Sequence, residues 1–313
     1  MQKINPKKVG IIGCGFVGSA TAFALMQSSL FTEISLIDVD EGKAEGEALD
    51  ISHGSCFADA TRIYAGTYDD IVDSAVIVLT AGANQKEGET RLDLAAKNVG
   101  IFRQILPELS SRSYGGVLLV VANPVDVLTR AAVTIGGFPA HRVIGSGTVL
   151  DTARLRSELS AYLGVSSRSV HAYVIGEHGD SEIVAWRSAN VSGVPIDAFC
   201  SLRGRGNSAE AMRVIGERVR NVAYEIIKRK KATYYGIAMS VRRICEAIVR
   251  DEKAVLPVSS VGGLFGDIAL SLPAVVGANG VETRVPLSLS DEEKAALENG
   301  AQTLRGVIKE LGL

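Results

Sequence analysis

An α/β fold, a doubly wound parallel sheet followed by a mixed α+β region, is predicted by three features of this 313-residue sequence. Short apolar runs alternate with helix-forming stretches through the first half, the pattern of a parallel sheet covered on both faces. A glycine-rich turn follows the first apolar run at once. The second run ends in a carboxylate, Asp38.

Lys8 to Ile12 reads as the first buried strand. Gly13-Cys-Gly15-Phe-Val-Gly18 comes next, then Ser19 to Met26, rich in helix formers, with Val17, Ala20, Ala24 and Leu25 on one side. Gly13 permits the tight turn, Gly15 leaves room for a pyrophosphate, and Gly18 lets helix and strand pack closely. The helix N-terminus offers backbone N–H groups and a positive dipole end to the phosphates. Glu33 to Ile37 reads as the second strand, and Asp38 lies twenty positions past Gly18. A carboxylate there accepts bonds from a ribose 2′-hydroxyl and repels a 2′-phosphate. The expected ligand of this Rossmann-type unit is therefore NAD rather than NADP.

Gly42 to Ile51 reads as a helix, Arg62 to Ala65 and Ala75 to Thr80 as strands, about Thr90 to Ser110 as a helix, and Gly116 to Val121 as a strand. Ligands of such sheets gather at the carboxyl ends of the strands. Two further loops therefore matter. Thr80 to Arg91 contains two glycines and little to bury, and is expected to act as a mobile lid. After Val121, Pro124 holds Asn123 extended, with its amide free for a ligand.

The dinucleotide unit is expected over residues 1–145 and a substrate unit over 146–313. Thr148 to Ser160 reads as a helix on which Asp151 and Arg154 share a face. Arg154 and Arg156 point about 200° apart. Val170 to Ile175 reads as one strand leading into Gly176-Glu-His178-Gly-Asp180, which places His171 and His178 on opposite faces. The glycines allow a tight bend, and an imidazole there can hold or release a proton near neutral pH. If Asp151 and Arg154 face it, Asp151 can accept the ring N–H of His178 and raise its pKa. Arg154 offers a bidentate fork for a carboxylate. Arg91, arriving on the lid, can polarise a carbonyl as hydride adds to it. Glu177 and Asp180 read as lesser neighbours. The rest reads as support: helices over Asn207 to Lys231 and Gly236 to Arg250, and strands over Ala254 to Gly262 and Leu272 to Leu287. The last of these turns at Asn279-Gly280, and a capping box at Ser290-Asp-Glu-Glu293 opens a final helix through Leu311.

Taken together, these stretches resemble the lactate/malate dehydrogenase family, and within it the L-lactate dehydrogenases of bacteria. The resemblance rests on Gly13 to Gly18, Gly82 to Leu94, Val121-Ala-Asn-Pro-Val-Asp126, Gly147 to Arg154, Gly176 to Asp180 and Ala232-Thr-Tyr-Tyr-Gly236, in family order. It implies His178 as proton donor and acceptor, Asp151 as its partner, Arg154 as carboxylate anchor and Arg91 as the polarising arginine. Asn123 and Thr233 are implied as substrate contacts. For the cofactor, beyond Gly13, Gly15 and Gly18, it points to Val17, Asp38, Lys43 and Tyr68. It also points to Gly82, Ala83 and Gln104, and to Val121, Asn123 and Ser146. Malate dehydrogenases place an arginine at the position of Gln85 to meet a second carboxylate. A neutral amide suits the methyl of pyruvate and would leave that carboxylate without a counter-charge, which is costly. Lactate is thus favoured over malate, with branched 2-hydroxy acids as a further alternative. Arg156 and His171 are implied as phosphate contacts for fructose 1,6-bisphosphate, an activator bound at a subunit interface of a homotetramer. Cations facing one another across an interface repel until an anion binds. Lys231 stands where relatives often carry glycine.

Composition narrows the alternatives. A net charge of −2 advertises no nucleic-acid or anionic-membrane partner, and no apolar run approaches the ~20 residues needed to span a bilayer. The four cysteines are far apart, with no Cys-x-x-Cys and no histidine at ligand spacing. No metal site or disulfide framework is expected, and a reducing cytoplasm fits, as does the start of the chain, which lacks a signal peptide's apolar core. A non-catalytic NAD-binding protein would tolerate loss of Arg91, Asp151 or His178. The NAD-dependent glycosidases share the nucleotide fold but carry a Cys/His metal site that is missing here.

Overall fold

A computed structural model describes residues 3–84, 88–206 and 208–313. Its first half runs β1 (Asn5–Ile12), α1 (Phe16–Met26), β2 (Glu33–Ile37), α2 (Glu41–Gly54), β3 (Arg62–Ala65), α3 (Tyr68–Ile71), β4 (Ser74–Leu79), α4 (Arg91–Ser111), β5 (Val117–Val120), α5 (Val125–Gly136) and β6 (Val143–Gly145). These six strands are parallel in the order β3-β2-β1-β4-β5-β6. The order reverses between β1 and β4, where doubly wound sheets bind ligands beyond their carboxyl ends.

The second half continues with α6 (Val149–Leu163), β7 (Val170–His171), β8 (Val174–Ile175), β9 (Ile183–Val184), β10 (Asn190–Val191), β11 (Val194–Pro195), α7 (Ile196–Leu202), α8 (Ser208–Lys230), α9 (Tyr235–Val249), β12 (Ala254–Val261), β13 (Ala269–Gly277), β14 (Gly280–Arg284) and α10 (Asp291–Glu310). Strands β12 to β14 are antiparallel and extend the main sheet from β6, so the sheet runs through both halves.

Strand pleating divides the apolar side chains between two cores. Ile77, Leu79, Leu118 and Val120 pack with Val99, Phe102 and Leu106 of α4 and Leu128 of α5. Their neighbours Val76, Val78, Val117 and Leu119 pack on the opposite face with Leu25 of α1 and Ile244 and Ile248 of α9. A third core, including Leu155, Leu159, Val174, Ile215 and Val219, joins α6 and α8 to the short strands.

Two expectations need correction. The strand read over Val170 to Ile175 is two strands: β7 pairs with β10 and β8 with β9. Between them, the Ala172 carbonyl accepts from Arg156 Nε at 3.1 Å rather than from a strand. Strand alternation therefore cannot relate His171 to His178. The final hairpin turns at Ala278 and Asn279, and Gly280 opens β14. Gly280 has φ +93°, and an added Cβ would lie 2.0 Å from the His141 carbonyl oxygen, so its lack of a side chain is required there. The long helix read from Asn207 is described from Ser208, Asn207 itself lying outside the described residues. Helix α5 and strand β6 had no counterpart in the sequence reading.

Helix α10 supplies one wall of the cavity described below, and its start is fixed by the expected capping box. The Ser290 Oγ accepts from Glu293 N at 3.2 Å, and the Glu293 carboxylate accepts from Ser290 N at 2.9 Å. Replacing Ser290 by Ala is expected to cost about 1 kcal/mol. Denaturant unfolding should show a lower midpoint with an unchanged slope; an unmoved midpoint would mean that this cap does not hold α10.

Candidate active site

Two threonines near the start of α6 position the centre of the site. Thr148 donates its hydroxyl to the Val174 carbonyl at 2.6 Å, and Val174 N donates to Thr152 Oγ1 at 2.9 Å. This clamps α6 to β8 and brings Asp151, between the two threonines, against the loop that follows β8. The loop is fixed twice more. Gly176 exchanges backbone bonds with Ser271 of β13 at 2.9 and 3.0 Å, and His178 N donates to Asp126 of α5 at 2.7 Å. Asp126 is itself held by the Ser259 hydroxyl of β12.

The Asp151 carboxylate has both oxygens engaged. Oδ2 lies 2.7 Å from His178 Nδ1, and Oδ1 accepts from Arg154 Nη1 at 2.9 Å. Burial disfavours charge on His178, but Asp151, then Asp126 and Glu182, outweigh it and push the imidazole up to about 9. Burial would also raise Asp151, yet His178 and Arg154 hold it below the usual carboxylate range. Asp126 is pushed up to about 6 by burial, against the bonds from Ser259 and His178 N. Glu182 is pushed up to about 8 by burial and by the neighbouring Asp151. With Nδ1–H committed to Asp151, His178 is left with Nε2 to exchange a proton.

These groups line a cavity of about 460 Å³, with Arg91, Asn123, Arg154 and Arg220 in its polar wall and Leu304 and Val307 of α10 in its apolar one. Arg91 is the first residue of α4, not a loop residue, because Thr90 caps that helix by accepting from Asp93 N at 3.1 Å. Its half-exposed guanidinium pairs with Asp180 and donates to the Tyr224 hydroxyl at 3.1 Å. Tyr224 in turn donates to Asp180 at 2.7 Å. Asp180 is therefore no lesser neighbour. The bend after His178 turns it toward α8, where it becomes the counter-ion of Arg91.

Thr233 is not brought into the cavity wall. It lies in the 231–234 linker, which leaves α8 at Lys231 with φ +70° and is drawn toward α1 by Tyr234 stacking on Phe16, ring centroids 5.4 Å apart. Gln85, expected to choose among substrates, lies outside the described residues, as do Lys86 and Glu87 of the same expected lid. Arg156 points away from the cavity, its Nε on the Ala172 carbonyl and its guanidinium 5.2 Å from the Tyr173 ring. His171 is exposed on β7 next to that carbonyl. The two share a surface separate from Asp151.

Glycine geometry on the nucleotide side fits a dinucleotide. A Cβ at Gly13 (φ +103°) would lie 2.4 Å from Ala81 N, and one at Gly18 only 1.8 Å from the Gly13 carbonyl oxygen. Gly15, by contrast, faces open space at the N-terminus of α1, where a phosphate can approach the backbone. Asp38 follows β2, and its carboxylate accepts from Cys14 N at 2.6 Å and Asp40 N at 3.1 Å, which fixes it beside the glycine turn. Val17 packs against the α1-side core. Lys43 and Tyr68 lie in the first turns of α2 and α3. Gly82 and Ala83 follow β4, where Ala83 N donates to Asn98 Oδ1 at 2.7 Å. Val121 and Asn123 follow β5, and Ser146 follows β6, all on the carboxyl side of the sheet. Gln104 differs, standing exposed midway along α4.

Asp126, Glu182, Arg220, Tyr224 and Ser259 were not singled out from the sequence. Each reaches the site from an element whose local pattern signals only helix, strand or loop.

Family models for the lactate/malate dehydrogenase NAD binding domain and the lactate/malate dehydrogenase alpha/beta C-terminal domain match residues 7–145 and 148–312. The chain is 48% identical over 310 residues to an L-lactate dehydrogenase of Acetivibrio thermocellus, with 98% of each chain covered. It is 49% identical over 314 residues to one of Moorella thermoacetica, with 99% of each covered. Among solved structures, the minor L-lactate dehydrogenase from Enterococcus mundtii in its ligands-bound form superposes with a TM-score of 0.93 at 44% identity, covering 97% of this chain and 98% of that one. MGS-M5, a lactate dehydrogenase enzyme from a Medee basin deep-sea metagenome library, gives 0.95 at 43% identity and covers both chains fully.

The electrostatics make one prediction at this site. Substituting Asn for Asp151 removes the largest influence that holds the proton on His178 and leaves Asp126 and Glu182 alone to oppose burial. The His178 ring should then titrate clearly below the value of about 9 that it has with Asp151 in place. Proton NMR of the four histidines across pH reads this directly, and an unmoved high titration would refute the assignment.

Proposed function

Because the chain belongs to the lactate/malate dehydrogenase family, we propose that it is an NAD-dependent L-lactate dehydrogenase interconverting pyruvate and L-lactate. One observation carries the reading: the buried Asp151 carboxylate sets a proton-bearing imidazole and a carboxylate-binding guanidinium side by side in a single cavity. The lactate relatives at 48–49% identity support the choice of substrate and the L configuration.

In this reading Arg154 grips the substrate carboxylate through its fork. His178 gives a proton from Nε2 to the carbonyl oxygen as that oxygen gains charge, and takes it back in the reverse direction. Arg91 exchanges its contact with Asp180 for the polarised oxygen, stabilising the charge that develops there. Asn123, in the polar wall of the cavity, donates its amide. Bound NAD supplies or accepts the hydride. Gly13, Gly15 and Gly18 would hold its phosphates and Asp38 its ribose, with Val17, Lys43, Tyr68, Gly82, Ala83, Gln104, Val121 and Ser146 as the remaining proposed contacts. Residues 1–145 are the proposed nucleotide unit and 146–313 the substrate unit. Cytoplasmic location and a homotetramer belong to the same proposal. Arg156 and His171, which share a surface away from the cavity, are the proposed phosphate contacts of fructose 1,6-bisphosphate.

Oxidation of NADH with pyruvate, oxaloacetate and a branched 2-oxo acid tests the assignment. Pyruvate should give the highest kcat/KM, and absence of pyruvate turnover would overturn it. Replacing Gln85 by Arg should shift preference at least about tenfold toward oxaloacetate by supplying the missing counter-charge; an unchanged ratio would remove Gln85 from the specificity argument.

At limiting pyruvate, fructose 1,6-bisphosphate should lower KM, and an Arg156→Gln substitution should abolish the response. A wild-type enzyme indifferent to the bisphosphate would refute the regulatory part alone.

A further inference from the structure

Glu182 has no part in the reaction as described, yet it occupies the same cavity. The residue is 5% exposed, and its backbone is fixed by its N–H on the Gly179 carbonyl at 3.1 Å and by Arg220 Nη2 on its own carbonyl at 3.0 Å. Its side chain lines the cavity with Arg154, His178 and Arg220. One carboxylate oxygen lies within 4.8 Å of a polar atom of both Asp151 and His178. Among the described residues its carboxyl forms no hydrogen bond.

We propose that Glu182 is a proton-coupled gate for carboxylate binding: its neutral form admits the substrate carboxylate to Arg154, and its ionised form opposes it. This deepens the function proposed above and rests on it.

The groups facing Glu182 decide which carboxyl holds the proton. From α6 come Asp151 and Arg154, from the preceding loop His178, and from α8 Arg220; Asp126 of α5 accepts the His178 backbone N–H and acts on its ring as well. Asp151 already accepts from both His178 and Arg154, so of two neighbouring buried carboxyls it is the one that stays ionised. Glu182 takes the proton, and burial together with Asp151 pushes it up to about 8. A substrate carboxylate on Arg154 adds another negative charge to the same desolvated wall. An ionised Glu182 then repels it, whichever way the reaction runs. His178 acts with opposite sign in the two directions, since the oxo acid needs it protonated and the hydroxy acid needs it neutral.

The two effects separate in the lactate direction. In the wild type, KM for lactate should rise as Glu182 ionises near pH 8 and fall at higher pH as His178 loses its proton near 9. In Glu182→Gln the fall should persist and the rise should vanish, leaving KM about tenfold lower than wild type at pH near 9.5. An unchanged profile, or a KM displaced equally at all pH values, overturns the gate and leaves Glu182 a packing residue. Should the variant not fold, calorimetry on the NADH-loaded wild type decides. Binding of oxamate, the amide isostere of pyruvate, in buffers of different ionisation enthalpy at pH near 9.5 should take up more than one proton per site. One proton or fewer, the share of His178 alone, overturns the proposal. A wild-type protein that turns over neither pyruvate nor lactate refutes the underlying function instead.

Discussion

A buried carboxylate with both oxygens committed is the constraint on which this site depends. Asp151 is 3% exposed in its side chain and divides its oxygens between His178 and Arg154. Removing one partner of a buried pair generally costs about 3–5 kcal/mol, because the remaining charge keeps its desolvation penalty. The imidazole and the guanidinium are therefore held to each other through one shared anion. Their relative placement, needed to hold an oxo acid by its carboxylate while protonating its carbonyl, follows from that sharing.

Most of the surrounding structure serves to bring Asp151 and His178 together. Thr148 and Thr152 clamp α6 to β8, Gly176 is bridged to β13, and Asp126 on α5 receives the His178 amide while Ser259 on β12 holds Asp126. Four elements from different parts of the chain thus converge on one loop. Extension of the parallel sheet by β12 to β14 makes this possible, since it carries β12 and β13 alongside β6 and under α5 and α6. The cavity consequently opens on the same carboxyl side of the sheet as the glycine turn.

The charge arrangement also links the site to stability. His178 has a folded pKa of about 9, above its unfolded value near 6.5. The native state binds the extra proton, so this contribution is full below pH 6.5 and is lost as pH rises through 9. Asp126 and Glu182 are raised as well, to about 6 and 8. Their contributions have the same sign and fade from near pH 4 upward. Asp151 is lowered, so its contribution is present above its unfolded value near 4 and is lost as pH falls below it. The site holds together best while Asp151 is ionised and its neighbours keep their protons.

Sequence alone determined what depends on local pattern. The strands β1 to β5, the glycine turn, Asp38 and the capped helices were legible because apolar periodicity, glycine spacing and capping residues are written over a few consecutive positions. The shared face of Asp151 and Arg154, and the opposite direction of Arg156, followed from helical spacing. Only the tertiary structure decided which distant groups meet. It gave Arg91 to Asp180 and Tyr224, drew Thr233 away with its linker, split the expected strand before His178 in two, and placed Asp126 and Glu182 beside the imidazole. No local pattern encodes such encounters. They arise when elements far apart in the chain bury their apolar faces together, and the polar groups carried inward must then find partners in whatever lies opposite.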